Sequence, residues 1–179
     1  MVVCFDIETA GQGIDPHKSI VSVIGMKRDG RILQWKVWEA KDEANIILDA
    51  FKEIESIKQF EETILGFNNL KFDVPFLLKR LDILGRSTAD LWIMMHNKKW
   101  FDLYQFLGNS YQSQTLWLTR LGIKREFPEL NGKDMLRYYE TKEYDKIVMH
   151  NRDDLNTSET LFQKLKSGNI LMKDLLKFD

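Results

Sequence analysis

The sequence predicts an α/β fold around one central mixed β-sheet. Three observations carry this. Three β-patterned segments follow one another at the N-terminus, the last two joined by the hairpin signal Asp29-Gly30. A segment with apolar residues at helical spacing comes next. From Thr63 onward, short apolar runs alternate with further helical stretches. The expected layout is three antiparallel strands, then parallel strands, with α-helices flanking the sheet.

Val2–Ile7 reads as a strand, apolar until it ends on acidic residues, and the Gly-, Asp- and Pro-containing stretch Gly11–Lys18 reads as a turn. Ser19–Lys27 and Arg31–Trp38 are the next two strands. Asp42–Lys58 carries Ala44, Ile47, Leu48, Phe51, Ile54 and Ile57 on one helical stripe. Thr63–Phe67 is a short buried strand. Asp73–Leu84 is a helix, with Pro75 in the first turn, where a missing N–H costs nothing. Trp92–His96 is read as a strand and Trp100–Leu107 as a helix. Gln114–Leu121, ended by Gly122, and Lys133–Glu140 are further helices. Glu143–Lys166 is the last long one, with a break expected near Tyr144.

The 179 residues are expected to form a single domain, 1–179; 44% are apolar and 30% charged, a globular composition. Net charge is −1. A protein that grips long nucleic acid by its phosphates carries a basic excess, so any such binding here is expected to be short and local, or helped by a partner. Cys4 is the one cysteine, which excludes an internal disulfide and a cysteine zinc cluster. With no signal-peptide pattern and no long apolar span, the chain is expected to be soluble, intracellular and cytoplasmic, without membrane contact.

Three acidic motifs carry the chemistry. In Phe5-Asp6-Ile7-Glu8-Thr9, residues two apart on a strand share a face, so Asp6 and Glu8 point together. Paired carboxylates repel unless a cation lies between them, and hard oxygen ligands suit Mg²⁺ or Mn²⁺. Alone, the pentapeptide is equally a strand running out into solvent. In Gly66-Phe67-Asn68-Asn69-Leu70-Lys71-Phe72-Asp73-Val74-Pro75-Phe76, a strand gives way to a polar loop and a helix. Alone, its Asp73 reads more simply as a helix N-cap. In His150-Asn151-Arg152-Asp153-Asp154-Leu155-Asn156-Thr157, His150 and Asp154 share one helical face, which alone is more simply an exposed pair. Leu155, Leu161 and Leu165 bury a face near that of Asp154, so Asp154 is taken as more inward than Asp153.

Together the motifs run D-x-E, then N-x-x-x-F-D-x-P-F, then an aspartate on a late helix. This order resembles the DEDD superfamily of 3′→5′ exonucleases, and most closely the proofreading domain of family B DNA polymerases and its stand-alone relatives. The resemblance runs from Val2 to about Phe162, with Asn68, Phe72, Asp73, Pro75 and Phe76 its most specific part. It implies a ribonuclease H-like fold and a two-metal-ion phosphodiesterase using Mg²⁺ or Mn²⁺. Asp6, Glu8 and Asp154 would surround a first ion. Asp6 would bridge to a second, with Asp73 in that ion's outer shell. Thr9, Asn68 and Phe72 would contact the terminal nucleotides.

The pattern departs at His150. The family places a Tyr four residues before the last Asp, or a His five before it. His150 has the identity of one subclass at the spacing of the other, and is read as standing in the Tyr position, to orient or deprotonate water. The alternative is a solvated helix histidine. The expected activity is 3′→5′ exonuclease on single-stranded DNA or frayed 3′ ends, with a DNA repair or replication protein as possible partner. The competing readings are RNA 3′-end trimming, which uses the same carboxylates, and a non-catalytic interaction module. Asp102 is read as a helix cap. Lys98-Lys99 is read as a solvated loop pair, or else as a contact to a strand backbone.

Overall fold

The computed structural model of the chain describes residues 1–108 and 112–168. β1 (Val2–Gly11), β2 (Ser19–Arg28) and β3 (Arg31–Lys36) form the expected antiparallel meander. Its hairpin turns through Asp29 and Gly30, both at positive φ, as a two-residue turn of the favoured hand requires. A short 3-10 turn leads to α1 (Glu43–Ser56), and β4 (Thr63–Gly66) then returns parallel to β1. α2 (Asp73–Ile83) and α3 (Ala89–His96) precede β5 (Trp100–Asp102), which runs parallel to β4. α4 (Leu103–Phe106), α5 (Gln114–Arg120), α6 (Met135–Glu140) and α7 (Tyr144–Lys166) complete the described elements. The sheet order is β3-β2-β1-β4-β5.

Strand alternation sorts the core. Val3, Phe5 and Ile7 face α1 and α2, packing with Ile47, Phe51, Ile54, Leu77 and Leu81. Cys4 faces the other way, with Leu65, Trp117, Leu155 and Leu161. Even residues of β1 therefore look toward α7, which is where Asp6 and Glu8 lie. A third cluster joins Val23 to Tyr138 and Ile147 and seats α6 against α7.

Two expectations fail between β4 and α5. Trp92–His96 is not a strand but the end of α3, and Trp100–Leu107 is not a helix but β5 followed by one helical turn. The apolar run of α3 imitates a buried strand, yet Trp92 and Ile93 are at least half exposed on it. The true strand has three residues, too few for any periodicity; it is defined by pairing Trp100 with Ile64 and Phe101 with Leu65. The break expected near Tyr144 is absent. Tyr144 opens α7, its ring stacked on Trp38 at 4.1 Å between centroids. Lys98 is no solvated loop residue: its Nζ donates to the carbonyls of Glu55 and Ile57, closing the end of α1. Among the described residues no helix is long and apolar enough to cross a membrane.

Candidate functional site

The site grows from a mismatch in strand length. β1 continues to Gly11, but its parallel pairing with β4 stops at Cys4–Leu65. After Gly66 the chain leaves the sheet, and the edge of β1 is open to other partners. The loop and helix that follow supply them. Asn69 Nδ2 donates to the Phe5 carbonyl at 3.0 Å, and Asp73 accepts the Ile7 N–H at 3.0 Å. A Cβ on Gly66 would overlap the Asn69 amide, so that residue must be glycine for the loop to close down. The result lies at the carboxyl ends of parallel strands, where α/β sheets bind ligands.

Asp73 is thus no N-cap. Phe72 holds that position, and the buried Asp73 carboxylate reaches across to the backbone between Asp6 and Glu8. The loop is steadied from its other side by Asp102, which caps α4 as expected and also accepts the N–H groups of Asn68 and Leu70. Asn68 takes a positive φ of 69° at the exit from β4. Phe72 is half-buried against Phe76, partly core and partly open. Thr9 is half-buried, at the point where a β-bulge shifts the β1–β2 register between Glu8 and Thr9.

α7 contributes the other half. Asn151 Nδ2 donates to Asp6 Oδ2 at 2.8 Å. His150 Nδ1 lies 2.8 Å from Glu8 Oε1 and 3.4 Å from Asp154 Oδ2. His150, Glu8 and Asp154 are all buried, which removes both the solvated histidine and the exposed helical pair. One ligand atom from each of these three lies within 4.8 Å of the others.

Asp154 is not the more inward of the two aspartates on α7. Asp153 is buried too, at 2% exposure against 8% for Asp154. Its carboxylate accepts the N–H groups of Glu126 and Phe127 and pins that loop to the helix. The loop brings Arg125, whose Nη1 lies 2.5 Å from Asp154 Oδ1. Inward facing therefore does not separate the two aspartates; what they face does. Sequence reasoning missed Arg125, which no local pattern ties to a residue so far along the chain. It also missed Asn151, which the helical stripe through Ile147, Asp154, Leu155 and Ser158 could have flagged as inward.

The charge does not balance. Asp6, Glu8, Asp73 and Asp154 converge on one guanidinium and one imidazole. Burial, then Glu8, Asp154 and Asp73, hold the Asp6 carboxyl well above the usual carboxylate range. Burial raises Glu8 against the pull of His150. Burial also pushes Asp73 up to about 8, more than its backbone hydrogen bonds restrain it. For His150, burial favours the neutral ring, but the carboxylates of Glu8 and Asp154 outweigh it and push the imidazole up to about 9. Asp154 Oδ1 is buried and has the Arg125 guanidinium as a close ionic partner. Crowded hard oxygen donors and one imidazole make a donor set that fits divalent cations.

This acidic cluster on a mixed α/β sheet defines a nuclease-like class. The family model described as the RNase_H superfamily matches residues 3–166. The chain belongs to that superfamily, and its fold is ribonuclease H-like. Over 90 residues it is 30% identical to DNA polymerase 2 of Aeropyrum pernix, a match spanning 49% of this chain and 11% of that protein. It is also similar to the structure of the family B DNA polymerase from the hyperthermophilic archaeon Pyrobaculum calidifontis. That likeness has a TM-score of 0.71 and 19% identity, and covers 92% of this chain and 24% of the polymerase chain. The chain thus spans only a small part of either relative. Superfamily membership supports a hydrolytic nuclease, and nucleases of this fold use divalent metals.

Proposed function

We propose that the protein is a metal-dependent 3′→5′ exonuclease, a single domain acting on single-stranded DNA or frayed 3′ ends. One observation carries the reading: Glu8, His150 and Asp154 offer ligand atoms within 4.8 Å of one another. Asp6 and Asp73 flank them, so that all four motif carboxylates meet at one end of β1. DNA is favoured because both similar proteins are named as DNA polymerases.

Asp6, Glu8 and Asp154 would hold a first Mg²⁺ or Mn²⁺, and Asp6, with Asp73 behind it, a second. When bound, such ions supply Lewis acidity for the attacking water and for the leaving 3′-oxygen. The chain's own residues do the rest. With no cation bound, the carboxylates of Glu8 and Asp154 favour the protonated His150 ring over the opposing effects of burial and Arg125. Added positive charge favours the neutral ring, which can then accept a proton from water. Thr9, beside Glu8 on the bulge, and Asn68, in the loop held by Asp102, are assigned to the terminal nucleotide. The half-open face of Phe72 would stack on a base.

The test is 5′-labelled single-stranded DNA and RNA, incubated with Mg²⁺, Mn²⁺ or EDTA. A ladder shortening from the 3′ end of DNA, dependent on metal and lost in Asp6→Ala, is the expected result. Faster loss of RNA would move the assignment to 3′-end trimming of RNA. No degradation of either polymer with Mn²⁺ would overturn the reading. As a base, His150 should cost about 10²–10⁴-fold when changed to Ala. A trivial loss would reduce it to a structural partner of Glu8.

A further inference from the structure

Asp6 is held from behind by a device that spans three strands and a helix. The sheet register sets Asp6 opposite Gly25, and Gly25 opposite Gln34. Directly opposed residues share a face, so Gln34, Gly25 and Asp6 form one row across β3, β2 and β1. The middle position has no side chain. Into that gap α7 lowers Asn151, which is fully buried. A Cβ on Gly25 would overlap the Asn151 side chain, so glycine is what lets the amide lie directly on the strand.

The polarity of the row is fixed. Gln34 Nε2 donates to the Val148 carbonyl at 2.9 Å, and a carbonyl can only accept. The same Nε2 donates to Asn151 Oδ1 at 2.9 Å. Asn151 must then turn its Nδ2 toward Asp6, donating to Oδ2 at 2.8 Å and to the Asp6 carbonyl at 3.3 Å. A backbone carbonyl of α7 thus dictates, through two amides, that Asp6 receives a donor. One carboxylate oxygen is engaged and the plane of the group is set.

We propose that Asn151, keyed by Gln34 and seated on Gly25, is a positioning residue for divalent-cation binding, holding Asp6 in its ligating orientation. This rests on the metal-site reading above. Partners of this kind orient metal ligands in general, and their removal weakens metal binding about 10–100-fold. A merely structural Asn151 would affect folding and leave cation affinity alone.

The test uses the full chain, stripped with EDTA and titrated with Mn²⁺ by calorimetry and by the loss of free-ion paramagnetic resonance signal. Asn151→Ala should raise the Mn²⁺ dissociation constant of the folded protein about 10–100-fold. Gln34→Leu, at a half-buried edge position, leaves the Asn151 amide free to turn and should shift affinity the same way by less. Wild-type affinity in a folded Asn151→Ala protein would overturn the proposal; if that variant does not fold, wild-type affinity in Gln34→Leu would overturn it. Mn²⁺ binding that is lost in Asp6→Ala but unchanged in both variants would leave the metal site standing and remove only the positioning role. No Mn²⁺ binding by the wild-type chain would remove both.

Discussion

Two buried charged groups sit on opposite sides of this sheet, and they solve the same problem differently. On the α1–α2 side, Glu43 meets Arg80 through two bonds, Nε to Oε1 at 2.8 Å and Nη2 to Oε2 at 2.5 Å. Glu43 also accepts the Val21 N–H, and Arg80 donates to the Pro16 carbonyl. One carboxylate faces one guanidinium, and the pair closes on itself while tying α1, α2, β2 and the Pro16 turn together. On the α7 side, four carboxylates face one guanidinium and one imidazole. The carboxylates there outnumber their cationic partners, and burial together with this crowding raises three of the carboxyls toward neutrality. Burial of charge alone therefore does not mark a site. A surplus of one sign, left over after the protein's own partners are counted, does.

Substitution should separate the two groups most sharply. Asp6→Asn removes one of the surplus charges. Nuclease activity should fall on the order of 10³-fold, as for loss of a major transition-state stabiliser. Tm in EDTA should hold or rise, because like-charge repulsion is relieved. A clear drop in metal-free Tm would make Asp6 a structural residue. Arg80→Ala does the reverse. It strands Glu43 without its counter-charge, at a cost of about 3–5 kcal/mol. Urea unfolding reads this directly, and a loss under about 1 kcal/mol would mean the pair behaves as if exposed. The folded fraction of Arg80→Ala should still bind Mn²⁺.

The neighbours Asp153 and Asp154 carry the same contrast within one turn of helix. Asp153 is satisfied by the Glu126 and Phe127 N–H groups, whereas Asp154 belongs to the surplus. Asp153→Ala should cost about 1–3 kcal/mol by leaving those N–H groups unpaired. Its Mn²⁺ affinity should change little, while Asp154→Ala should lose tight binding. Equal loss of affinity in the two variants would show that the 125–127 loop, not the carboxylate, governs the cation.

How legible this was depended on the range of each interaction. Alternation along β1 put Asp6 and Glu8 on one face, because two residues of one strand fix each other's direction. The Asp29-Gly30 hairpin and the α1 stripe were readable for the same local reason. Asp73 was readable only as a motif; that its carboxylate binds Ile7 N depends on β4 ending early, which no local pattern expresses. β5 and α3 were exchanged because three residues have no period and because the apolar run of α3 leaves Trp92 and Ile93 exposed while Met95 is buried. Facing could not choose Asp154 over Asp153, since both point inward. Arg125 and the Gln34–Asn151 contact were invisible, because each joins α7 to a residue far from it in the chain.

The smallest effect, and the one that tests the surplus as a whole, is the pH dependence of the metal-free protein. Asp6, Glu8 and Asp73 have folded pKa values above those of the unfolded chain, Asp73 up to about 8. Such groups bind more protons folded than unfolded, so their contribution is full below the unfolded carboxylate range and is lost as pH rises through each folded value, for Asp73 about 8. His150 has the same sign: raised to about 9, it stabilises below its ordinary 6.5 and ceases to do so as pH passes about 9. Carboxylates held low by partners, such as Glu62 with Arg28, oppose this only at acid pH, where they titrate. Between about pH 6 and pH 9, Tm in EDTA should therefore fall, by about 2–4 °C for each kcal/mol lost in a chain this long. Saturating Mn²⁺ should widen the gap over EDTA as pH rises, since cations bind the deprotonated ligands. Asp73→Asn should flatten the EDTA curve. A metal-free Tm that rises over this range would mean that the carboxylates at the end of β1 are already balanced by the protein itself, and the contrast with Glu43–Arg80 would disappear.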